Sequence, residues 1–158
     1  MIHVIVPLEA EPKQGDRSRI VTGKGKSFVA HYQPAKVKQF GRNLAALLAP
    51  HRPKEPLDGP VCIEIVFGYP WPASASKRSR EAGIAPKTTK PDLDNLEKAI
   101  MDVLQSSGFI VNDSRNWIKR TAKSYCRQGF ISLKLWVSDD VPSWVADAVA
   151  ANLEGSVR

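Results

Sequence analysis

Cysteine is scarce in this chain of 158 residues, which contains only Cys62 and Cys126 and no CxxC pair. That scarcity excludes a disulfide-rich secreted framework and a zinc ribbon, because both need several closely spaced cysteines. We expect two reduced thiols in strand segments, with a single disulfide as the alternative. Long apolar runs are also missing, which excludes a membrane-spanning helix. The first residues lack the basic start and apolar stretch of a signal peptide, so we expect a cytoplasmic protein.

Histidine is nearly as scarce, and none of the three has the spacing of a metal-ligand pair: His3, His31 and His51. We expect them to be structural or exposed. The segment TGKGKS at 22–27 suggests a phosphate-binding P-loop, but Ile20 stands where that motif requires glycine. A basic flexible turn is the better interpretation of this segment.

Charge of one sign is abundant, with 23 Lys and Arg against 16 Asp and Glu and a formal net charge of +7. A basic surplus favours an anionic partner, and nucleic acid is the first candidate because phosphate neutralisation supplies most non-specific affinity. A solvated basic surface without a partner is the alternative. Two basic segments stand out, an arm over about 11–26 and a loop over about 72–90. We predict that they contact DNA through Lys24, Lys26, Lys77, Arg78, Arg80, Lys87 and Lys90.

The apolar periodicity predicts one α+β domain over residues 1–158. Stripes at helical spacing predict three helices, at 34–48, 92–107 and 142–153. Alternation predicts strands at 2–7 and 61–67 and a hairpin that pairs 117–126 with 130–137. We therefore expect a small mixed β-sheet of about four or five strands with helices packed on it. The basic arm is expected to be mobile or a hairpin, and the segment 72–90 to be an irregular loop.

The sequence KPDLDNLEKAIMD concentrates carboxylates in an otherwise basic chain. Asp94, Lys98 and Asp102 are spaced four residues apart, so they share one side of the predicted helix. Asp92 precedes the first turn, and Asp113 follows the helix in a loop that can return beside it. Two carboxylates about 5 Å apart repel by about 3 kcal/mol at an effective dielectric of about 20, which a bound cation relieves. Mg²⁺ takes oxygen ligands and keeps several waters and substrate phosphate oxygens.

A structural explanation gives the same residues different roles. Asp94 and Glu97 have the spacing of a capping box, and acids in a first turn suit the helix dipole. Asp94 and Asp102 can each form an exposed ion pair with Lys98, worth a few tenths of a kcal/mol. On spacing alone, this explanation has the better support.

A third group of residues lies on the strand predicted over 117–126. Lys119, Thr121, Lys123 and Tyr125 alternate onto one of its faces, which can approach the acidic residues. We predict that Lys123 holds a DNA phosphate there. A solvated strand face is the alternative.

The motif PDLDNL, with the Lys, Asp and Gly that follow it and the later Asp113-Ser114, closely resembles the signature of the RusA family of Holliday junction resolvases. The resemblance implies a RusA-like fold and catalytic, metal-binding roles for Asp92, Asp94 and Asp113. It implies that Lys98 is a catalytic or DNA-contacting cation and that Asp102 is a further acidic member of the metal site. Asn112 stands where the family often has a first Asp.

The resemblance also implies Mg²⁺ as the cofactor, DNA as the substrate and a homodimer as the assembly. The leading hypothesis is a Mg²⁺-dependent, structure-selective endodeoxyribonuclease that resolves four-way junctions by paired symmetric nicks in DNA recombination and repair. Such a protein would be bacterial or encoded by a prophage. The alternatives are a non-catalytic protein that binds branched DNA on the same fold and a basic scaffold protein without a DNA role.

Overall fold

The computed structural model describes residues 1–13, 17–23, 26–32 and 34–155. Its elements follow in chain order: β1 (Ile2–Val6), β2 (Arg17–Gly23), β3 (Lys26–Tyr32), α1 (Ala35–Leu48), β4 (Val61–Pro70), α2 (Lys77–Glu81), β5 (Ala85–Pro86), α3 (Leu93–Ser106), β6 (Asn116–Cys126), β7 (Phe130–Val137) and α4 (Ser143–Gly155). Short 3₁₀ turns follow α1 and precede β6. The predicted α+β class and mixed sheet are confirmed.

The main sheet has five strands in the order β1-β7-β4-β6-β5, and β2 pairs with β3 in a separate hairpin. β4 lies at the centre, antiparallel to β7 and parallel to β6. The predicted pairing of 117–126 with 130–137 is therefore wrong. The two segments are strands joined by a tight connection, but β4 lies between them. Alternation identifies a strand and its buried face, whereas it does not say which strand pairs with it.

Gly68 allows the strands to approach closely where this connection crosses the end of β4. Its backbone pairs with Phe130 on β7 and Ser124 on β6. A Cβ atom at Gly68 would lie 2.3 Å from the Phe130 ring and 2.9 Å from the Cys126 sulfur. Only glycine leaves room for the Phe130 ring at this point.

One face of the sheet carries the core, and α1 and α3 pack against it. α1 buries Phe40, Leu44 and Leu48, as its predicted stripe requires. α3 buries a continuous stripe that includes Leu96, Ile100 and Leu104. The core-facing side chains of β4 and β7 meet this stripe in one cluster, with fully buried members Ile63, Ile65, Phe67, Ile131 and Leu133. This packing fixes which side of α3 faces solvent.

The segment predicted as an irregular loop over 72–90 contains the short helix α2 and strand β5. Ser76 caps α2 by accepting a hydrogen bond from the Ser79 backbone N–H at 3.1 Å. Arg80 donates to the Pro72 carbonyl oxygen at 2.8 Å and to that of Ala75 at 3.3 Å. The sequence did not predict these elements, because the segment has few apolar residues and is stabilised by hydrogen bonds between side chains and the backbone.

The arm contains the β2–β3 hairpin. Lys24, which is predicted to contact DNA, lies outside the described residues. α4 coincides with the helix predicted over 142–153. It lies largely exposed, with Trp144 59% and Val149 56% accessible to solvent. Within the described residues, no helix has the length and hydropathy needed to cross a membrane.

Candidate active site

Asp94 and Asp102 lie on the solvent-facing side of α3, as the helical spacing predicts. Asp92 occupies the N-cap position, and its side chain makes no capping hydrogen bond. Glu97 forms an ion pair with Lys119 on β6 at 2.5 Å. The capping box expected from Asp94 and Glu97 is therefore not formed. Of the roles in the structural explanation, Asp94 keeps its place in the first turn and its exposed ion pair with Lys98.

Two lysines partly neutralise this side of α3. Lys98 lies 3.6 Å from the Asp94 carboxylate in an exposed pair. Lys13, from the segment that precedes β2, contacts the Asp102 carboxylate at 2.6 Å. The backbone N–H of Lys13 also donates to the Asn95 carbonyl oxygen at 2.9 Å. The N-terminal segment is thus held along α3, and its cation offsets one of the clustered charges.

A pocket of about 300 Å³ opens between α3 and the start of β6. Asp102 and Asp113 both line it, together with Lys98, Asn116 and Lys119. Asp113 begins the 3₁₀ turn before β6, and Asn112 caps that turn by accepting from the Ser114 N–H at 2.8 Å. The loop after α3 therefore returns Asp113 to the helix, as the sequence predicts. We call this opening the acidic pocket.

Asn116 is a member of the acidic pocket that the sequence does not single out. Its side-chain nitrogen donates to the Asp113 carbonyl oxygen at 2.9 Å. Its side-chain oxygen is buried and has no hydrogen-bond partner among the described residues. A buried acceptor without a partner is unusual and calls for a donor or a cation nearby. An asparagine at a strand start carries no signal of such a role in the sequence.

The structure does not gather Asp92, Asp94 and Asp113 into one group. Among the described residues, no set of three or more Asp, Glu, His or Cys side chains is arranged to hold a metal ion. Asp92 lines a different opening of about 590 Å³, together with Lys90 and Asn95. Mg²⁺ often takes only one or two protein carboxylates and completes its shell with water and phosphate oxygens. The donor set of Asp102, Asp113 and the Asn116 oxygen fits that chemistry.

Two of the lysines predicted to contact DNA are used inside the protein. Lys87 is only 8% exposed, and its ammonium donates to the Thr89 hydroxyl at 2.7 Å and the Lys90 carbonyl oxygen at 2.6 Å. Lys123 donates to the carbonyl oxygens of Thr89 at 2.8 Å and Pro91 at 2.5 Å. These contacts, which we call the lysine tether, hold the segment that leads into Asp92. They leave neither ammonium free to be a simple phosphate contact.

Aromatic rings complete the surroundings of the lysine tether. The Lys87 ammonium lies 5.0 Å from the ring centres of both Tyr69 and Tyr125. The Thr89 hydroxyl bonds the Tyr125 hydroxyl at 2.8 Å. This hydrogen bond is the main cause that lowers the pKa of Tyr125, and Lys87 acts in the same direction. Burial raises the pKa of Tyr69, whose hydroxyl donates to the Ala10 carbonyl oxygen at 3.0 Å.

The other predicted DNA contacts lie on exposed surfaces. Lys26, Arg78 and Lys90 are exposed. The Lys77 side chain is 91% accessible and lies 3.8 Å from Glu81. Arg80 is exposed, but its guanidinium is used to hold the turn before α2. The basic loop therefore keeps exposed cations at Lys77, Arg78 and Lys90, whereas two of its predicted contacts, Arg80 and Lys87, have structural roles.

The strand face predicted over 117–126 does approach the acidic residues. Lys119 lines the acidic pocket and pairs with Glu97, and Lys123 reaches the backbone just before Asp92. Thr121, between them, has a buried hydroxyl without a hydrogen-bond partner among the described residues. The alternation of β6 thus predicted this approach correctly, although it did not predict that both ammonium groups have protein partners.

Comparison with known proteins agrees with this arrangement. The model of the endodeoxyribonuclease RusA family matches residues 9–129, which include α1, α3, β4 and β6. An uncharacterized protein of Bacillus subtilis (strain 168), YqaN, is 36% identical over 99 residues, which cover 60% of this chain and 68% of that protein. The family match spans the acidic side of α3, Asp113 and the lysine tether. The chain belongs to the RusA endodeoxyribonuclease family.

Proposed function

We propose that this protein is a Mg²⁺-dependent endodeoxyribonuclease that resolves four-way DNA junctions by paired symmetric nicks. The observation that carries the proposal is the acidic pocket, where Asp102 and Asp113 face one opening beside Lys98. Family membership supplies the reaction class, which is hydrolysis of a DNA phosphodiester. Carboxylates placed together in a protein with a net charge of +7 suit a cation held against a polyanion.

Mg²⁺ would be held by Asp102 and Asp113 in the acidic pocket, whereas Asp92 and Asp94 are further carboxylates at the N-terminal end of α3. The ion, when bound, lowers the pKa of a coordinated water and offsets charge on the scissile phosphate. Asn116 lines this pocket, and its buried side-chain oxygen has no hydrogen-bond partner among the described residues. Asp92 makes no capping hydrogen bond, so its carboxylate is not committed to the start of the helix.

Lys98 has the geometry of a group that stabilises charge on the phosphate. Its ammonium lies 3.6 Å from Asp94, and the side chain lines the acidic pocket. The ion pair with Asp94 is exposed, so it is worth at most about 1 kcal/mol and is easily exchanged for a phosphate oxygen. Lys98 can therefore leave Asp94 to the cation and hold a non-bridging oxygen of the substrate.

The test is nicking of a synthetic four-way junction by the purified protein with Mg²⁺. We expect Asp113→Asn to abolish nicking while junction binding in Ca²⁺ is kept, because the carboxylate serves the metal rather than the DNA. Asp139→Asn is the matched control, since Asp139 is an exposed acid between β7 and α4 and lies outside the acidic pocket. Equal nicking by wild type and Asp113→Asn would reject the site.

A non-catalytic protein that binds branched DNA is the second candidate. It is favoured by the absence of a preformed three-carboxylate group among the described residues. The same experiment separates the two functions, because such a protein would bind the junction in Ca²⁺ and leave it intact after exchange into Mg²⁺. Junction selectivity follows from comparing the four-way junction with a linear duplex of the same sequence.

A further inference from the structure

The segment 35–54, which consists of α1 and the turn after it, is strongly basic. It contains Lys36, Lys38, Arg42, Arg52 and Lys54 and no acidic residue. These twenty consecutive residues therefore carry a net charge of +5. α3, which packs beside α1, carries three acids and one lysine. The two neighbouring helices therefore differ in the sign of their charge, with α1 positive and α3 negative.

Lys38 and Arg42 line a groove of about 390 Å³ between α1 and α3. The floor of the groove is apolar and includes Phe40 and Val103. Lys13 and Asp102 form the far wall through their ion pair of 2.6 Å. Because Asp102 also lines the acidic pocket, the groove and that pocket adjoin at this residue.

Lys38 and Arg42 differ from the other cations near the groove, because Lys13 is paired with Asp102. Lys36 pairs with Glu11 at 2.6 Å, and the hydrogen bond to Glu11 raises the pKa of Lys36. Among the described residues, neither Lys38 nor Arg42 forms an ion pair, and both are exposed. A solvated helix face normally mixes charges of both signs, since opposite charges four residues apart support the helix. α1 has only cations at these positions.

The row of cations continues past the helix. A second opening of about 630 Å³ is lined by Arg52 and Lys54 and shares Ala45 with the groove. Lys38 and Arg42 are separated by about 6 Å along the helix axis, close to the roughly 7 Å that two nucleotides of one strand span. From Lys38 to the end of α1, after which Arg52 and Lys54 follow, the helix extends for about 15 Å. This is roughly half a turn of duplex DNA, whose turn is about 34 Å.

We propose that α1 is a phosphate-binding surface for one duplex arm of the DNA substrate, with Lys38 and Arg42 as its central contacts. The inference rests on the proposed function and adds a binding surface to it. A strand held along α1 passes Asp102 and reaches the acidic pocket. The ion pair of Lys13 with Asp102 keeps the shared wall nearly neutral, so the phosphates are not repelled where the groove meets the pocket.

The test uses the double variant Lys38→Gln/Arg42→Gln of the full chain and a four-way junction in Ca²⁺, where binding occurs without cleavage. Fluorescence anisotropy across a range of salt gives the slope of log K against log salt. Each lost phosphate contact makes the slope shallower by about 0.9, so we expect a change of about 1.8. The matched control is Arg120→Gln/Lys134→Gln. It removes two cations from the opposite face of the sheet, where both pair with Glu64.

Each outcome decides one point. A shallower slope and weaker binding for the α1 variant alone support the inference, provided that its thermal unfolding matches wild type. Equal slopes for wild type and the α1 variant overturn it, and so does an equal loss in the control, which would be an effect of net charge. Failure of the wild type to bind or nick the junction would instead contradict the proposed function. Wild-type nicking with an unchanged α1 variant would contradict only the role of α1.

Discussion

At the scale of single residues, burial decides what a lysine does. The sequence places Lys87 among the basic residues of one loop, where its spacing does not distinguish it from Arg78 or Lys90. In the structure its ammonium satisfies polar groups of the segment before Asp92 and lies between two tyrosine rings. A buried ammonium is retained when hydrogen bonds replace its water. Lys87 is therefore a positioning residue for the acidic end of α3.

Lys87→Met tests this role. The variant keeps the length of the side chain and removes its donors, which leaves the Lys90 carbonyl oxygen and the Thr89 hydroxyl short of a partner. We expect the free energy of unfolding to fall by about 1–3 kcal/mol in urea titrations. We also expect slower junction nicking at saturating DNA, with an unchanged salt slope for binding in Ca²⁺.

The control for Lys87→Met is Lys134→Met, which removes an equal charge from the other face of the sheet. A phosphate contact at Lys87 would make the salt slope of binding shallower by about 0.9. That result would contradict the positioning role. Partial recovery of the nicking rate by Lys87→Arg at constant binding would support it, because arginine keeps the donors.

Tyr69 gives the protein a sensitivity to alkaline pH. Burial raises its pKa above the ordinary value near 10, so the folded state keeps the phenol proton after the unfolded state has lost it. Its contribution to stability is therefore complete below pH 10 and is lost as pH rises further. Tyr69→Phe should cost about 1 kcal/mol at pH 8 through its hydrogen bond to Ala10 and should flatten the alkaline fall.

Urea unfolding at several pH values between 8 and 11 measures this difference. The lowered pKa of Tyr125 acts in the opposite direction, but it is common to wild type and Tyr69→Phe and cancels in the comparison. An identical alkaline fall in both proteins would show that Tyr69 does not cause it.

At the scale of elements, the sequence predicts what depends on local periodicity and misses what depends on pairing. The stripes of α1 and α3 and the alternation of β4 place these elements within a few residues of their bounds. The same spacing puts Asp94, Lys98 and Asp102 on one exposed side of α3. The insertion of β4 between β6 and β7 has no local signal in the sequence. Two strands show the same alternation of apolar and polar residues whether they pair with each other or with a third strand between them. The lysine tether and Asn116 depend on side chains that meet only in the fold.

Gly68 and Gly41 provide a matched test of packing within elements. Gly68→Ala in β4 would place a methyl group against the Phe130 ring, so we expect a loss of about 1–3 kcal/mol in stability. Gly41→Ala in α1 meets Val103 at an ordinary 3.8 Å, and we expect a gain of about 0.5–1 kcal/mol from helix propensity. Urea or thermal unfolding measures both changes.

A double-variant cycle identifies the cause at Gly68. If the Phe130 ring is responsible, Gly68→Ala should cost much less in a Phe130→Ala background. An equal cost in both backgrounds would place the strain in the β4 backbone or at Cys126 instead.

At the scale of the whole molecule, charge is sorted rather than mixed. The charged side chains of α1 are all cations, whereas α3, which packs beside it, carries three acids and one lysine. Such a distribution attracts a polyanion over a wide surface and leaves one place where a cation is favoured. Under the proposed function, phosphate contacts that recognise the DNA and the point of cleavage would lie on separate parts of the surface. Only a few residues of α3 and the turn at Asp113 join the two parts.

Paired nicks require two such sites, and we predict that a two-fold dimer supplies them. A four-way junction is nearly two-fold symmetric, so two identical subunits can each act on one of two matching strands. A mixture of wild type with excess Asp113→Asn should form heterodimers with a single working site. On a supercoiled plasmid that extrudes a cruciform, these heterodimers should make one nick, so the product should shift from linear DNA to nicked circles.

The pattern of products separates a dimer from independent subunits. Mixing should reduce the linear product more steeply than the total nicking, because two active subunits must meet in one dimer. Sedimentation of the protein with and without junction DNA gives the mass of the working assembly. The dimer is contradicted if the yield of linear product is simply proportional to the amount of wild type and the protein sediments on the junction as a monomer. Each chain would then cut alone, and the two nicks would not be coupled.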